Sequence, residues 1–431
     1  MTDNHKILKD ITGQEINETL KAIKNVLAGG KNKGYIYGFY IDANESDPED
    51  RVTYLKDAVG MTPAYMDYTN GVFNYGSWKD AFFMPRPCML NYDGEVDYYL
   101  DPDDYSKKID GTPSDVADET YAGNAMMEWG RGGSKIWYKI VPDTPTVSES
   151  ASIYIADHQV DEGFNAWSFL NNQRVYVDHF YTPIYNGYYD GTRMRSISGK
   201  TPTASLNAAT ERTYCQANNT TLPIWDTEVY CDIILINFLL ILISKSTDSQ
   251  SAFGQGNTTS GQSGVLNTGT MDDKGMFYGY STTTSGVKVF GMENWWGNLW
   301  RRFAGLINDN GIGKFKLTRS TLDGSGVSDY VVSNSSSDYS GYLVGTAIPE
   351  SGWVKNFSFS EKQFIPSTVE GSSSTYYADY FYSNNGQVDY AIRGGRAVNG
   401  SSCGSCYFRL DNASSASYWD VAAAPSCKPI E

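Results

Sequence analysis

Apolar and polar positions change their rhythm several times along this chain of 431 residues. Residues 35–42 (YIYGFYID), 134–142 (SKIWYKIVP) and 151–157 (ASIYIAD) are short aromatic and β-branched runs, separated by turn pairs such as Asp93-Gly94 and Asp110-Gly111. Such runs predict strands. Residues 223–244 read differently, because IILINFLLILI is apolar nearly all round and Asp226 and Glu228 precede it, where a helix dipole favours carboxylates. We expect a buried helix there. The apolar run is about half the length needed to cross hydrocarbon, and Asn237 interrupts it. A polar helix is predicted over 15–27, ending at Gly29-Gly30, and a short one over 60–66. Residues 251–288 and 320–378 are rich in Gly, Ser, Thr and Tyr and read as long surface loops, although strand-like fragments return at 315–318, 342–348 and 356–360.

The forty residues just before the C-terminal pair carry the most information. In 390–429 small residues, aromatics and turn formers dominate, and Glu, Gln and Met are absent. Arg409 and Asp411 flank Leu410, and Ala416, Tyr418 and Asp420 alternate with Ser417 and Trp419. In extended backbone each set shares one face, which predicts Leu410, Trp419 and Val421 pointing inward. The pair Gly394-Gly395 after Arg393 suits a tight turn or a close backbone approach.

Composition narrows the class of function. Charged residues make up 19% of the chain, while Tyr (33), Phe (18) and Trp (10) abound and Gly (42) outnumbers Lys and Arg together (34). Tyr and Trp supply rigid amphipathic contact area, and Ser, Gly and Asn adapt their hydrogen bonds, so this balance is that of an adhesive surface. A net charge of −16 opposes electrostatic binding to nucleic acid or an anionic membrane. Six cysteines at 88, 215, 231, 403, 406 and 427 permit disulfides, but a chain made inside the cell keeps such thiols reduced and buried. Cys403-x-x-Cys406 stands alone, far from any histidine, which weakens a metal or redox reading. The carboxylates of 45–51 (ESDPEDR) offer oxygen ligands for a structural Ca²⁺, though a solvated acidic loop explains them as well. No secretory pattern opens the sequence. Asp157-His158 and Asp178-His179 lack a serine nucleophile elbow to serve.

One motif points to a family. Residues 289–305 (VFGMENWWGNLWRRFAG), followed by Arg393-Gly394-Gly395, Asn399-Gly400-Ser401, Ala413-Ser414 and Trp419, resemble the formylglycine-generating-enzyme branch of the C-type lectin fold. Within it they resemble the variable proteins of diversity-generating retroelements, which include tropism determinants of phage tails. The resemblance implies an α+β, C-type-lectin-like domain with large loop insertions over 35–431. Residues 35–150 would form an accessory subregion of it, 390–429 the variable region, and 1–34 an attachment or oligomerisation segment. It implies a scaffold of Glu293, Asn294, Trp295, Trp296, Gly297, Asn298, Trp300, Arg393, Gly394, Gly395 and Trp419. Against an Asn-rich family pattern the chain departs at Arg396, Ala397, Val398, Ser402, Arg409, Asp411, Ala416, Tyr418 and Asp420, each reachable from an Asn codon by changing adenines alone. These nine would form the ligand-binding surface.

The expected function is then that of a phage or prophage tail receptor-binding protein, a homotrimer in the virion tail. It would bind a bacterial surface protein or glycan and have no catalytic role, cofactor, nucleic acid or membrane insertion. Two alternatives follow from the same resemblance. A copper-dependent oxidase would use Cys403 and Cys406, but the family's cysteine spacing is wider. A calcium-type lectin would need EPN or QPD loops, and the sequence contains neither.

Overall fold

The pairing of the chain's last strand sets the architecture. In the computed structural model, which describes residues 34–317 and 343–430, Pro425–Cys427 lies between Trp225–Thr227 and Phe180–Pro183. The sheet continues through Gly123–Trp129, Arg86–Asn91 and Val96–Asp101 to Asp104–Lys108. A seven-stranded sheet therefore joins the extreme C-terminus to strands from the first quarter of the chain. All seven residues of Gly123–Trp129 are buried, as befits a central strand covered on both faces. Glu128 within it is matched by Arg86 at 2.6 Å.

A second sheet has eight strands. We label them β1 (Trp300–Asp309), β2 (Ile312–Phe315), β3 (Leu343–Ala347), β4 (Gly352–Trp353), β5 (Tyr380–Ser383), β6 (Val388–Arg393), β7 (Phe408–Asn412) and β8 (Val421–Ala422). Their order is β3-β2-β1-β6-β7-β5-β4, with β8 pairing in parallel on β1 through Trp300–Val421 and Arg301–Ala422. A four-stranded antiparallel sheet takes Ile36–Ile41, Trp137–Pro142 and Ala151–Ala156 from the runs predicted as strands and adds Val52–Lys56, where no strand is expected.

Three α-helices occur among the described residues: α1 (Ala208–Gln216), α2 (Tyr230–Ser244) and α3 (Ser249–Phe253). Every residue of α2 is buried. Phe238 of α2 meets Phe39 and Tyr138 of the four-stranded sheet at ring distances of 6.2 and 5.9 Å, and Phe364 of the 356–368 hairpin at 5.1 Å. Asn237, the polar break in the apolar run, donates to the Ser405 carbonyl at 2.9 Å and accepts from Trp295 Nε1 at 3.4 Å. A buried amide with both ends satisfied fixes the register of the helix against the 390–429 segment.

Several expectations need correction. Strand makes up 35% and helix 11% of the described residues, and one sheet is a half-barrel, so the fold is β-rich rather than α+β with a C-type-lectin-like architecture. Long-range strand pairing absorbs stretches that carry no strand pattern in sequence. The helix expected from Pro223 begins at Tyr230. Residues 225–227 pair with Pro425–Cys427 instead, and the carboxylate in the first helical turn is Asp232, held by Lys428 at 3.0 Å. No helix forms over 60–66, where a turn leads into the strand Tyr65–Asp67. Residues 251–288 are no surface loop throughout, since Phe253, Asn257, Thr258, Phe277 and Val287 are buried. The helix predicted over 15–27 lies outside the described residues.

Candidate functional site

The segment 291–300 forms a platform. Asn294, Gly297 and Asn298 all have positive φ (52°, 73° and 61°), a conformation that glycine and asparagine tolerate best. The resulting coil buries Trp295, Trp296 and Trp300, with Phe303 beyond them on β1. Asn298 is locked on three sides, donating to the Leu266 carbonyl at 3.2 Å and accepting from Leu266 N–H and Asn257 Nδ2 at 2.8 and 2.9 Å. Glu293 accepts from the backbone of Gly269 and Met271 at 2.9 and 2.8 Å. Burial, reinforced by the charge of Asp272 and opposed by Lys288, pushes its carboxyl up to about 8.

The Gly394-Gly395 pair fits against this platform. Gly394 (φ 86°) donates to Tyr407 O at 2.8 Å and accepts from Gly297 N–H at 2.9 Å. A Cβ there would lie 2.8 Å from the Trp295 carbonyl, and one on Gly395 would lie 2.3 Å from Cys403 Sγ. Both positions demand glycine on two counts, φ and space. Beneath them Arg393 donates to Trp295 O at 2.8 Å and packs 3.4 Å from the Trp295 ring centroid. Its other amino group meets Glu228 at 2.9 Å, and Glu228 also holds Arg301 at 3.3 Å. This buried hub joins β1, β6 and the approach to α2.

Outside the platform lies a groove of about 190 Å³, lined by Trp300, Ile392, Arg396, Arg409, Asn412, Tyr418, Trp419, Asp420 and Val421. It brings together four of the nine expected ligand-binding residues. Arg409 pairs with Asp411 at 3.0 Å, and its guanidinium lies 5.2 Å from the Tyr382 ring and 5.9 Å from the Trp300 ring. Arg396 pairs with Asp420 and sits 5.6 Å from the Trp419 ring. Burial, then the like charge of Arg409, lowers the Arg396 guanidinium. Tyr418 is 53% exposed and Val398 48%. Ser402 and Ala416 are half-buried away from the groove lining.

The backbone carrying these side chains is tied down from within. Arg302, itself buried and paired with Glu211 at 2.6 Å, donates to the Ala416 carbonyl at 3.0 Å. Ser205 N–H donates to Tyr418 O at 3.0 Å, Ala208 N–H to Ser414 O at 3.0 Å, and Trp300 N–H to Asp420 O at 2.9 Å. On the other loop Ala397 donates to Asn298 O at 3.1 Å and accepts from Gly261 N–H at 2.8 Å.

Three site expectations change. Ala397 is fully buried and cannot touch a ligand. Asp420 is 3% exposed and serves as the counter-ion of Arg396 at the groove wall. Trp419, expected inward, is half-buried and lines the groove. The alternation holds on β7, where Leu410 is buried between Arg409 and Asp411, but residues 413–420 form turns, so a period of two does not apply. Sequence reasoning missed Trp353, Tyr380 and Tyr382 beside the groove. The Tyr-x-Tyr alternation around Phe381 is the signal that marks them.

All six cysteines are buried, and no disulfide forms among the described residues. Burial, then the charge of Asp379, pushes the Cys403 and Cys406 thiols upward, away from the thiolate that nucleophilic or Cu(I) chemistry uses. No group of three His, Cys, Asp or Glu side chains among the described residues has metal-binding geometry. In the 45–51 loop, Glu45 and Asp47 instead accept backbone N–H groups at 2.9 and 2.8 Å and shape the turn. Asp157 and His158 bond at 2.7 Å past a strand end, exposed to solvent. The chain matches no known protein family, and no curated protein is similar to it.

Proposed function

We propose that this chain is a receptor-binding protein of a phage or prophage tail, with 390–429 as a rewritable display surface of the diversity-generating kind. One observation supports this reading above the others: Tyr418 projects from backbone held by Arg302, Ser205 and Trp300, and Arg409 and Asp411 from strand β7 held between β5 and β6, so side-chain identity and folding are separable there. A surface can be rewritten only under that condition. Tyr418 and Arg409 are of the residue types that dominate binding hot spots. Trp300 and the Gly394-Gly395 turn supply the fixed floor. Catalysis draws no support from the site, since its carboxylates are paired with arginines and its thiols are buried.

The test is the triple variant Tyr418→Ala, Arg409→Ala, Asp411→Ala, measured for thermal unfolding and for adsorption to the host cell. We expect a melting temperature close to that of the parent, because the Arg409–Asp411 pair is partly exposed and worth about 0–1 kcal/mol, together with loss of adsorption. An unfolded triple variant, or a folded one that adsorbs fully, overturns the reading.

A further inference from the structure

The groove opens onto a row of aromatic rings that lies outside 390–429. Strand β5 runs parallel to β7 with Tyr382 opposite Arg409, and β4 pairs on the far side of β5 with Trp353 opposite Tyr380. Cross-strand partners share a face, so all four side chains point the same way. Ring centroids are 5.5 Å apart from Trp353 to Tyr380 and 4.8 Å from Tyr380 to Tyr382. Arg409 then continues the row into the groove. All three rings are half-exposed, while the alternate residues Val354, Phe381 and Phe408 are buried.

The polar chemistry at the inner end is balanced in charge. Each guanidinium of the groove faces its own carboxylate, Arg409 with Asp411 and Arg396 with Asp420. Three polar atoms at this end have no hydrogen-bond partner among the described residues: Trp300 Nε1, the Tyr407 hydroxyl and Arg396 Nε. Trp300 and Tyr407 are fully buried, with rings 4.6 Å apart. Of the three residues, Trp300 and Arg396 line the groove.

We infer that the groove and the Trp353–Tyr380–Tyr382 strip together bind a neutral glycan chain of the host surface, an inference that rests on the receptor-binding reading above. A pyranose has an apolar C–H face that packs on an aromatic ring, and a rim of hydroxyls that both donate and accept. Alternating ring faces and charge-matched Arg–Asp pairs complement both features. A phosphate or acidic sugar would have to displace Asp411 or Asp420 from its arginine. At about 190 Å³ the groove is smaller than the ~300–1,000 Å³ of a pocket for a drug-sized molecule. It takes one sugar ring, and the strip takes the residues that follow.

The experiment uses the full chain and host cells pretreated in one of two ways: with protease, or with periodate, which cleaves vicinal diols. Binding to the neutral polysaccharide purified from the same walls is measured in parallel by calorimetry. We expect adsorption to survive protease and to be lost after periodate, with measurable binding to the polysaccharide. Tyr382→Ala and Trp353→Ala should each weaken that binding about tenfold, with unchanged unfolding midpoints, and Tyr382→Phe should restore it. Should Tyr382→Ala fail to fold, Trp353→Ala on the edge strand β4 carries the same test. Loss of adsorption after protease but not periodate overturns the glycan inference and leaves the receptor-binding reading standing. Unaltered affinity in folded Trp353→Ala and Tyr382→Ala removes the strip from the site. Failure of the untreated parent to adsorb to host cells overturns both.

Discussion

Replacing Glu228 by glutamine probes the hub on which the display surface rests. The Glu228 carboxylate lies 2.9 Å from Arg393 and 3.3 Å from Arg301, and all three side chains are at most 2% exposed. Glutamine keeps the shape but removes the charge, leaving two guanidiniums with neutral acceptors only: Asn186 Oδ1 at 2.7 Å and Glu293 O at 3.2 Å for Arg301, and Trp295 O at 2.8 Å for Arg393. The amide NH₂ would also face a donor. Breaking a buried pair by removing one partner costs about 3–5 kcal/mol, because the remaining charge stays desolvated. Two charges share this site, so we expect a loss in the upper part of that range. The assay is equilibrium denaturation at pH 7, with Arg409→Ala at the partly exposed pair as the comparison, for which about 0–1 kcal/mol is expected. Equal losses in the two variants, or a Glu228→Gln loss below about 1 kcal/mol, would refute the division between fixed hub and free surface.

The buried carboxyls give a pH dependence. Burial pushes Glu211 up to about 7 against the pull of Arg302, and Glu293 up to about 8. A folded pKa above the unfolded value means that the folded state binds more protons, so stability is fully present below the unfolded pKa and falls as pH rises through the folded one. Melting temperature should therefore be higher at pH 5.5 than at pH 7.5, and Glu211→Gln should flatten the slope; a profile that rises over this interval contradicts the assignment. Ala397→Tyr, at a fully buried position, should destabilise by about 1–3 kcal/mol through overpacking, whereas the neighbouring exposed Val398→Tyr should leave the unfolding midpoint unchanged. Both are read by denaturant titration. Display on a tail tip gains avidity when several sites share one orientation, so light scattering of the full chain at micromolar concentration should report a trimer, and a monomer would count against the assembly.

Much of the local structure was legible because it rests on local rules. The aromatic runs at 36–41, 137–142 and 151–156 form strands, since alternation and β-branching favour extended backbone wherever the chain can be half-buried. The apolar run around Asn237 forms a helix with every residue covered, since no amphipathic placement satisfies ten apolar residues out of eleven. Gly394-Gly395 serves the close approach that its composition announces. The helix start failed for a tertiary reason. Asp226 and Glu228 look like first-turn carboxylates, but Arg212, Arg301 and Arg393, distant in sequence, claim them.

The order of side-chain characters along the chain sets the strands, the buried helix, the glycine turn and the adhesive composition of 390–429. Which of those residues reach solvent together is set by tertiary packing. Asp420 turned inward to Arg396, Ala397 went under Gly261 and Asn298, and Tyr382 and Trp353 came alongside Arg409 through strand pairings that span tens of residues. Periodicity is a property of one segment, whereas burial depends on what other segments cover it. A surface assembled from β5, β7 and the 413–420 turns therefore has no image in any single stretch of sequence.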